Sequence, residues 1–261
     1  MMPVIFLSHG APTLPLEAGE TGAAWHQLGE QLPKPSAILV ISAHWESSIP
    51  TVSNAAHPET THDFSGFPAE LYKLKYPAPG APELAQAVAV ALQQAKIPVQ
   101  LDDMRGLDHG AWVPLSLMYP KADIPVAQLS LQPGQNPAWH IALGHALRPL
   151  RKQGVLIVGS GAITHNLHAM FRHPQGEPAP LWVTEFRDWI ADKIAAGDLK
   201  ALGEYRAHAP HAVQNHPTDE HLLPLFVALG AATRIGSAVH LNSVMTYGLL
   251  AMDAWVFDKT Q

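Results

Sequence analysis

Cysteine is absent from the 261 residues, which excludes disulfides, thiolate zinc sites and iron–sulfur clusters. Any metal must be held by imidazole and carboxylate, a donor set that suits zinc, non-haem iron, copper or nickel. Charge is scarce as well. Charged side chains make up 15% of the chain against 47% hydrophobic ones, which excludes a disordered polymer and implies a globular one. The 16 Lys and Arg are scattered and the net charge is -6, so there is no basic stripe to hold nucleic acid. No apolar run approaches the length of a membrane helix. The N-terminus lacks the basic segment and long apolar stretch of a secretory signal, and a cytoplasmic location is expected. The length suits one sizeable core, so a single domain over residues 1–261 is expected.

What is present in excess is histidine, 16 residues against 16 Lys and Arg together, and proline, 24 residues. The prolines imply many long connections, and such loops tend to carry sites. Two histidines stand out by position. The run Ala37-Ile-Leu-Val-Ile-Ser-Ala-His44-Trp-Glu46 reads as a buried strand ending at His44. Pro3-Val-Ile-Phe-Leu-Ser8 is a second apolar run, followed by His9-Gly10. A third, Val155-Leu-Ile-Val-Gly-Ser160, leads within a few residues to His165. Ligands of open α/β sheets bind beyond the carboxyl ends of strands, so the chain reads as a scaffold that gathers imidazoles around a metal.

Between these runs the spacing predicts helices over 22–32, 83–95, 115–119, 137–152, 181–196 and 198–205. A further helix is expected from Thr218, its plausible N-cap, to about Ala231. Strands are expected over 47–53, 98–101, 124–131, 238–246 and 249–257, with 208–217 irregular. The stretch 54–82 is a long loop whose Phe64, Phe67, Tyr72 and Tyr76 argue for a packed wall or lid. Alternating strands and helices give an α/β class, with a central, mostly parallel or mixed sheet flanked by helices on both faces. His26, His140 and His145 fall in helical patterns and read as surface or capping residues. His168, His173, His208, His211 and His216 also read as structural, since Pro210 spoils the helical pairing of His208 with His211. Trp45 and Trp112 read as core.

Six motifs in register carry a resemblance: Ser8-His9-Gly10; Ser42-Ala-His44-Trp-Glu46; His62-Asp63-Phe64; Leu107-Asp108-His109-Gly110-Ala-Trp112-Val-Pro114; Gly159-Ser-Gly161 through His165-Asn166-Leu167; and His216-Pro217-Thr-Asp-Glu220-His221. From residue 3 to about 257 the chain resembles the extradiol aromatic ring-opening dioxygenases of the protocatechuate 4,5-dioxygenase β-subunit type, and within them the DOPA 4,5-dioxygenase branch. The resemblance implies one divalent metal per chain, Fe(II) for ring cleavage; three histidine ligands also suit Zn(II), the ion expected in a purified sample. His9, His44 and His221 match the ligand positions. His221 stands where the wider superfamily has a glutamate, and the adjacent Glu220 is the fallback ligand. His165 matches an acid/base histidine that can also serve as a fourth ligand. His109 matches a second pocket histidine that binds or protonates the substrate, and His62 one in a loop folded toward it.

The implied partners are a small catechol, DOPA or a related compound, and O2, with no nucleic acid and no membrane. The catechol would be cleaved next to its diol to a semialdehyde. Neutral histidine is poised to take one catechol proton and to return one during O–O cleavage. A carboxylated substrate needs a cation, for which Lys73, Lys75 and Arg105 are candidates. Each histidine has a plainer reading too. His9 and His44 fit buried histidines bonded to backbone, His221 a solvated first-turn residue, His165 a loop cap, His109 a turn, and His62-Asp63 an ordinary Asx turn. Two other functions fit the same residues: a zinc-dependent hydrolase, which lacks its H-E-x-x-H helix here, and a non-enzymatic metal- or peptide-binding relative of the same fold.

Overall fold

Period-two alternation sends successive side chains of the apolar runs to opposite faces of one sheet. In β1 (Val4–Ser8), Val4 and Phe6 enter one hydrophobic core while Ile5 and Leu7 enter the other. In β2 (Ala37–Glu46), Leu39 and Ile41 join the first core and Ile38 and Val40 the second. Burial on both faces is what makes these strands continuously apolar. The structure is a computed structural model and describes residues 1–174, 176–241 and 244–259.

The remaining strands are β3 (Thr51–Ser53), β4 (Gln100–Asp102), β5 (Val126–Leu131), β6 (Val155–Gly161), β7 (Val239–Leu241), β8 (Met245–Thr246), β9 (Leu250–Ala251) and β10 (Ala254–Phe257). Eight of them form one sheet in the order β4-β3-β5-β2-β6-β1-β10-β7, and β8 pairs with β9 apart from it. The centre, β5-β2-β6-β1, is parallel. β10 and β7 extend one edge antiparallel, and β3 runs antiparallel to β5. The sheet is thus mixed.

The helices are α1 (Gly19–Gln31), α2 (Pro82–Gln94), α3 (His109–Met118), α4 (Pro137–Leu147), α5 (Leu167–Met170), α6 (Leu181–Ala196), α7 (Leu199–Gly203), α8 (Tyr205–His208), α9 (Ala212–Asn215) and α10 (Leu223–Ala231). α1 and α3 cover one face, with Trp25, Leu28, Trp112 and Leu115 in the core there. α2, α4, α6 and α10 cover the other through Leu84, Val88, Leu143, Phe186 and Phe226. Every residue of α10 is buried, as an all-round apolar helix must be. No helix among the described residues is long and apolar enough to cross a membrane.

The elements depart from the sequence expectations where local chemistry intervenes. The helix expected over 115–119 starts at His109, because the Asp108 side chain caps it by accepting from the Ala111 N–H. Thr218 caps nothing: the helix starts at Leu223 with Pro224 in its first turn, which Pro favours. His221 therefore sits in the turn before the helix and not in its first turn. The helix expected to reach residue 152 leaves the α conformation at Arg148, ahead of Pro149, and continues as a 3-10 turn. The stretch 198–205 divides into α7 and α8, and 208–217 contains α9. β2 runs through His44 to Glu46 instead of ending at it. The strand expected over 238–246 divides between two sheets, with residues 242 and 243 outside the described ones. That over 249–257 is interrupted at Met252 and Asp253.

Caps give a measurable handle. Asn136 precedes Pro137, and its Oδ1 accepts from the Trp139 N–H at 2.8 Å. Asn136→Ala is expected to remove about 1 kcal/mol of stability, seen as a lower urea midpoint with an unchanged slope.

Candidate metal centre and its cavity

Strand ends and one bulge bring the imidazoles together. His9 follows β1 directly, and its backbone N–H donates to the Gly161 carbonyl at 2.9 Å. Along β2, Ile41 faces Leu129 while Glu46 faces Leu131, so five steps on β2 oppose two on β5. Such an irregularity re-aims side chains, and His44 lies within it. His221 is held against the end of β6, where its carbonyl accepts from the Ala162 N–H at 2.8 Å. Gly161 allows this approach, since a Cβ there would overlap the His221 carbonyl. Gly110 does the same for His44: a Cβ there would strike the Ser42 hydroxyl and press on the His44 ring.

His9, His44 and His221 offer ligand atoms that all lie within 4.8 Å of one another. His9 Nε2 and His44 Nε2 are 3.0 Å apart. The tautomer of His9 follows from the helix opposite. Pro114 has no N–H for the Gly110 carbonyl, and the Ser160 hydroxyl donates to that carbonyl instead. With its own proton committed there, Ser160 Oγ accepts from His9 Nδ1, 3.0 Å away. His9 Nε2 is left with a bare lone pair. His221 Nδ1 donates to Glu220 Oε1 at 2.9 Å, which bares its Nε2 likewise. Glu220, the fallback ligand, thus stands behind His221.

Burial lowers the His9 ring well below its ordinary pKa, helped by His44, His109 and His165. Burial brings His44 to about 4, with His109 lowering it further and Asp108 and Asp63 opposing. Burial and then His165 hold His221 well down. The three rings are therefore neutral near pH 7. At 3.0 Å the bare His9 Nε2 meets His44 Nε2, accepting a hydrogen bond when His44 carries its proton there and joining it as a donor to a cation when that proton sits on Nδ1. Carboxylate or hydroxyl partners behind ligand imidazoles are the usual support of a metal site. The donor set fits a divalent ion.

The other predicted histidines divide. His109, at the start of α3, lies with its ring centroid 3.8 Å from that of His44. Its Nδ1 donates to Asp63 Oδ2 at 3.0 Å and its backbone N–H to Asp63 Oδ1 at 2.9 Å. Burial raises the Asp63 carboxyl, but the hydrogen bonds and charge of His109 outweigh that and hold it at about 2. His165 stacks on His221 with centroids 3.4 Å apart and planes within 10°. It groups with Glu220 and His221 instead of with His9 and His44. Burial lowers it to about 4 against the pull of Glu220.

His62 is not brought into the site. Its Nε2 donates to the Leu74 carbonyl at 3.1 Å, and its ring packs among Phe64, Tyr72 and Trp112. It braces the 54–82 connection from behind and is not among the residues that line the cavity. Arg105 is committed to Asp108 at 2.7 Å and to the face of Trp45, and neither it nor Lys73 nor Lys75 lines the cavity. Asp63 is the residue that sequence reasoning passed over, because the partner that gives it meaning lies 46 residues away.

A cavity of about 1290 Å³ opens on these rings, lined by His9, His44, His109, His165 and His221. Phe64 and Phe67 of the long connection form part of its wall, as do Leu167, Met170 and Phe171 around α5. His173, read as structural, also lies on the wall, with its Nε2 donating to the Glu177 carbonyl. The ionic side chains lining the cavity, imidazoles aside, are Glu17, Glu20 and Glu177; no Lys or Arg lines it among the described residues.

Comparison with known proteins adds the chemistry. Residues 3–256 match the family described as the catalytic LigB subunit of aromatic ring-opening dioxygenase. The chain is 40% identical to a 4,5-DOPA dioxygenase extradiol of Beta vulgaris over 259 residues, 98% of this chain and 96% of that protein. It is 43% identical to the protein of the same name from Escherichia coli strain K12, over 88% of this chain and 85% of that one. A crystal structure of an uncharacterized protein from Escherichia coli K12 superposes with a TM-score of 0.81 at 35% identity, covering 98% of this chain and all of the other. The chain belongs to the LigB family of aromatic ring-opening dioxygenases, as an extradiol ring-cleavage enzyme that depends on a divalent metal.

Proposed function

We propose that the chain opens the ring of a catechol bearing an amino-acid or amine side chain, with DOPA, the compound named for its relatives, as the first candidate. In this reading His9, His44 and His221 hold one ion per chain, and His109 and His165 handle protons. The convergence of three neutral imidazoles on a cavity wall carries it. The ion, Fe(II) for turnover, supplies the electron exchange between catecholate and O2 that protein side chains cannot. Zn(II) suits the same three nitrogens and has no redox chemistry; it is the ion expected after purification, and it is inert in ring cleavage.

The protein's own groups supply position and proton traffic. His109, with its Nδ1–H held by Asp63, presents Nε2 as the base for a diol proton. His165 is kept neutral by burial and stacks on His221 outside the first donor group, which favours a proton-carrying role over that of a fourth ligand. Each such group contributes about 10²–10⁴-fold. Phe64 and Phe67 offer the substrate ring an apolar wall. With carboxylates and no Lys or Arg on the lining, an ammonium tail suits the cavity better than a lone carboxylate.

The test is anaerobic loading with Fe(II), then O2 uptake and formation of a yellow product with DOPA, dopamine and protocatechuate. One O2 should be consumed per ring. DOPA and dopamine should exceed protocatechuate about tenfold or more in kcat/KM, and the zinc form should be silent. An iron form that consumes no O2 with any of the three defeats the reading.

A further inference from the structure

Asp63 reaches the site from the connection between β3 and α2, and it approaches two imidazoles from behind. Its Oδ2 lies 3.0 Å from His109 Nδ1 and 3.6 Å from His44 Nδ1. Its Oδ1 meanwhile accepts the first backbone N–H of α3. The carboxylate is thus fixed at both oxygens, with its side chain 22% exposed and that of His109 7%. The two rings it touches are themselves in contact, and the far nitrogen of His44 is the one that meets His9.

We infer that Asp63 is a positioning residue: it fixes His109 in the Nδ1–H tautomer, with Nε2 free toward the cavity, and steadies His44 in its ligand orientation. A carboxylate only accepts hydrogen bonds, so the ring nitrogen facing it must carry the proton. The opposite nitrogen must then be the bare one. An imidazole held this way keeps its orientation and turns its bare Nε2 away from the anion, the positioning role a buried carboxylate plays beside a catalytic histidine. One side chain of the long connection therefore sets the proton carrier and supports a metal ligand at once. The proton-carrying part rests on the function proposed above; the tautomer and the support of His44 do not.

Asp63→Asn is the informative change. Its amide can still accept the His109 backbone N–H, but it presents an NH2 group to Nδ1. The ring should turn over to the Nε2–H form, which leaves no base toward the substrate. In the zinc-loaded protein, 15N–1H correlation of the histidine rings should show His109 as Nδ1–H in the wild type and Nε2–H in Asp63→Asn. The resonance is assigned by its loss in His109→Gln. In the iron form, kcat should fall about 100-fold or more with KM within about threefold. Zinc affinity, read by competition with a chromogenic chelator, should weaken about tenfold through His44. Asp63→Glu keeps an anionic acceptor and should retain the Nδ1–H form and at least about a tenth of kcat. In a cycle with His109→Ala, measured at saturating Fe(II) so that the weaker metal binding through His44 does not enter, removing Asp63 as well should lower kcat less than about threefold further.

An Nδ1–H ring in Asp63→Asn, or a kcat within threefold of wild type, overturns the inference, and unchanged zinc affinity removes its His44 half. If the wild-type iron form turns over no catechol, the proposed function fails, while the ring tautomers and zinc affinity still decide the role of Asp63.

Discussion

His44→Ala is expected to empty the metal centre and abolish ring cleavage. The side chain supplies one of the three convergent donors, 3.0 Å from the next, and alanine leaves two imidazoles to hold a divalent ion. Losing a partner behind a ligand already weakens metal binding about 10–100-fold, so losing the ligand itself should weaken it about 10³-fold or more. The fold should survive. The His44 side chain is 21% exposed and faces the open cavity, so its removal widens a space already in contact with solvent and seals no void. The stability change should stay within about 1 kcal/mol, well short of a buried large-to-small substitution. Metal per chain after dialysis should drop from one equivalent to a trace, and O2 uptake with DOPA should fall below detection while the urea midpoint barely moves. A variant that keeps a full equivalent of ion and turns over within tenfold of wild type would remove His44 from the centre.

The parts of this fold that were legible in the sequence are those whose burial leaves a periodic mark. β1, β2 and β6 are apolar on both faces and so read as continuous runs, and the mixed sheet between helical layers follows from their alternation with helices. His9 was legible for the same reason, since it directly follows such a run, whereas His44 lies inside β2 and is aimed by a bulge that no periodicity shows. What stayed hidden depends on contacts distant in the chain. The tautomer of His9 is set by Ser160, whose proton goes to a carbonyl left free by Pro114; none of that is visible until α3 is known to start at His109. Asp63 reads as a turn residue because its partner is far along the sequence, while its neighbour His62 invited a site role and turns inward to Leu74. β7, β8 and β9 are two or three residues long, too short for any periodicity to declare them. The start of α10 was placed a turn early because Thr218 has capping chemistry, whereas Pro224 and the turn at Asp219 decide the matter.

Asp108→Asn should destabilise the protein about as much as Asp108→Ala, by about 3 kcal/mol or more, although asparagine matches the shape. The Asp108 side chain is fully buried and accepts four hydrogen bonds. Oδ1 takes the Ser42 hydroxyl at 2.6 Å and the Ala111 N–H at 3.2 Å. Oδ2 takes Arg105 Nη2 and Gln128 Nε2, both at 2.7 Å. An amide at this position must turn an NH2 group toward one of these pairs, and every one of its neighbours is a donor. Gln128 cannot relieve the conflict by flipping its amide, because its Oε1 accepts the Asp108 backbone N–H at 3.1 Å. Arg105 would lose its anion while staying mostly buried against Trp45, and breaking one side of such a pair costs about 3–5 kcal/mol. The low end applies here because Arg105 keeps some access to water and a bond to the His44 carbonyl. The damage should also reach the metal. Ser42 Oγ accepts the His44 backbone N–H at 3.2 Å, so the bulge that aims His44 is anchored through Ser42 to Asp108. Zinc affinity should therefore fall about 10–100-fold in both variants, alongside the lowered urea midpoint. If Asp108→Asn instead melts within about 0.5 kcal/mol of wild type, a margin typical of surface changes, the buried carboxylate is not the knot that joins β2, β5 and α3.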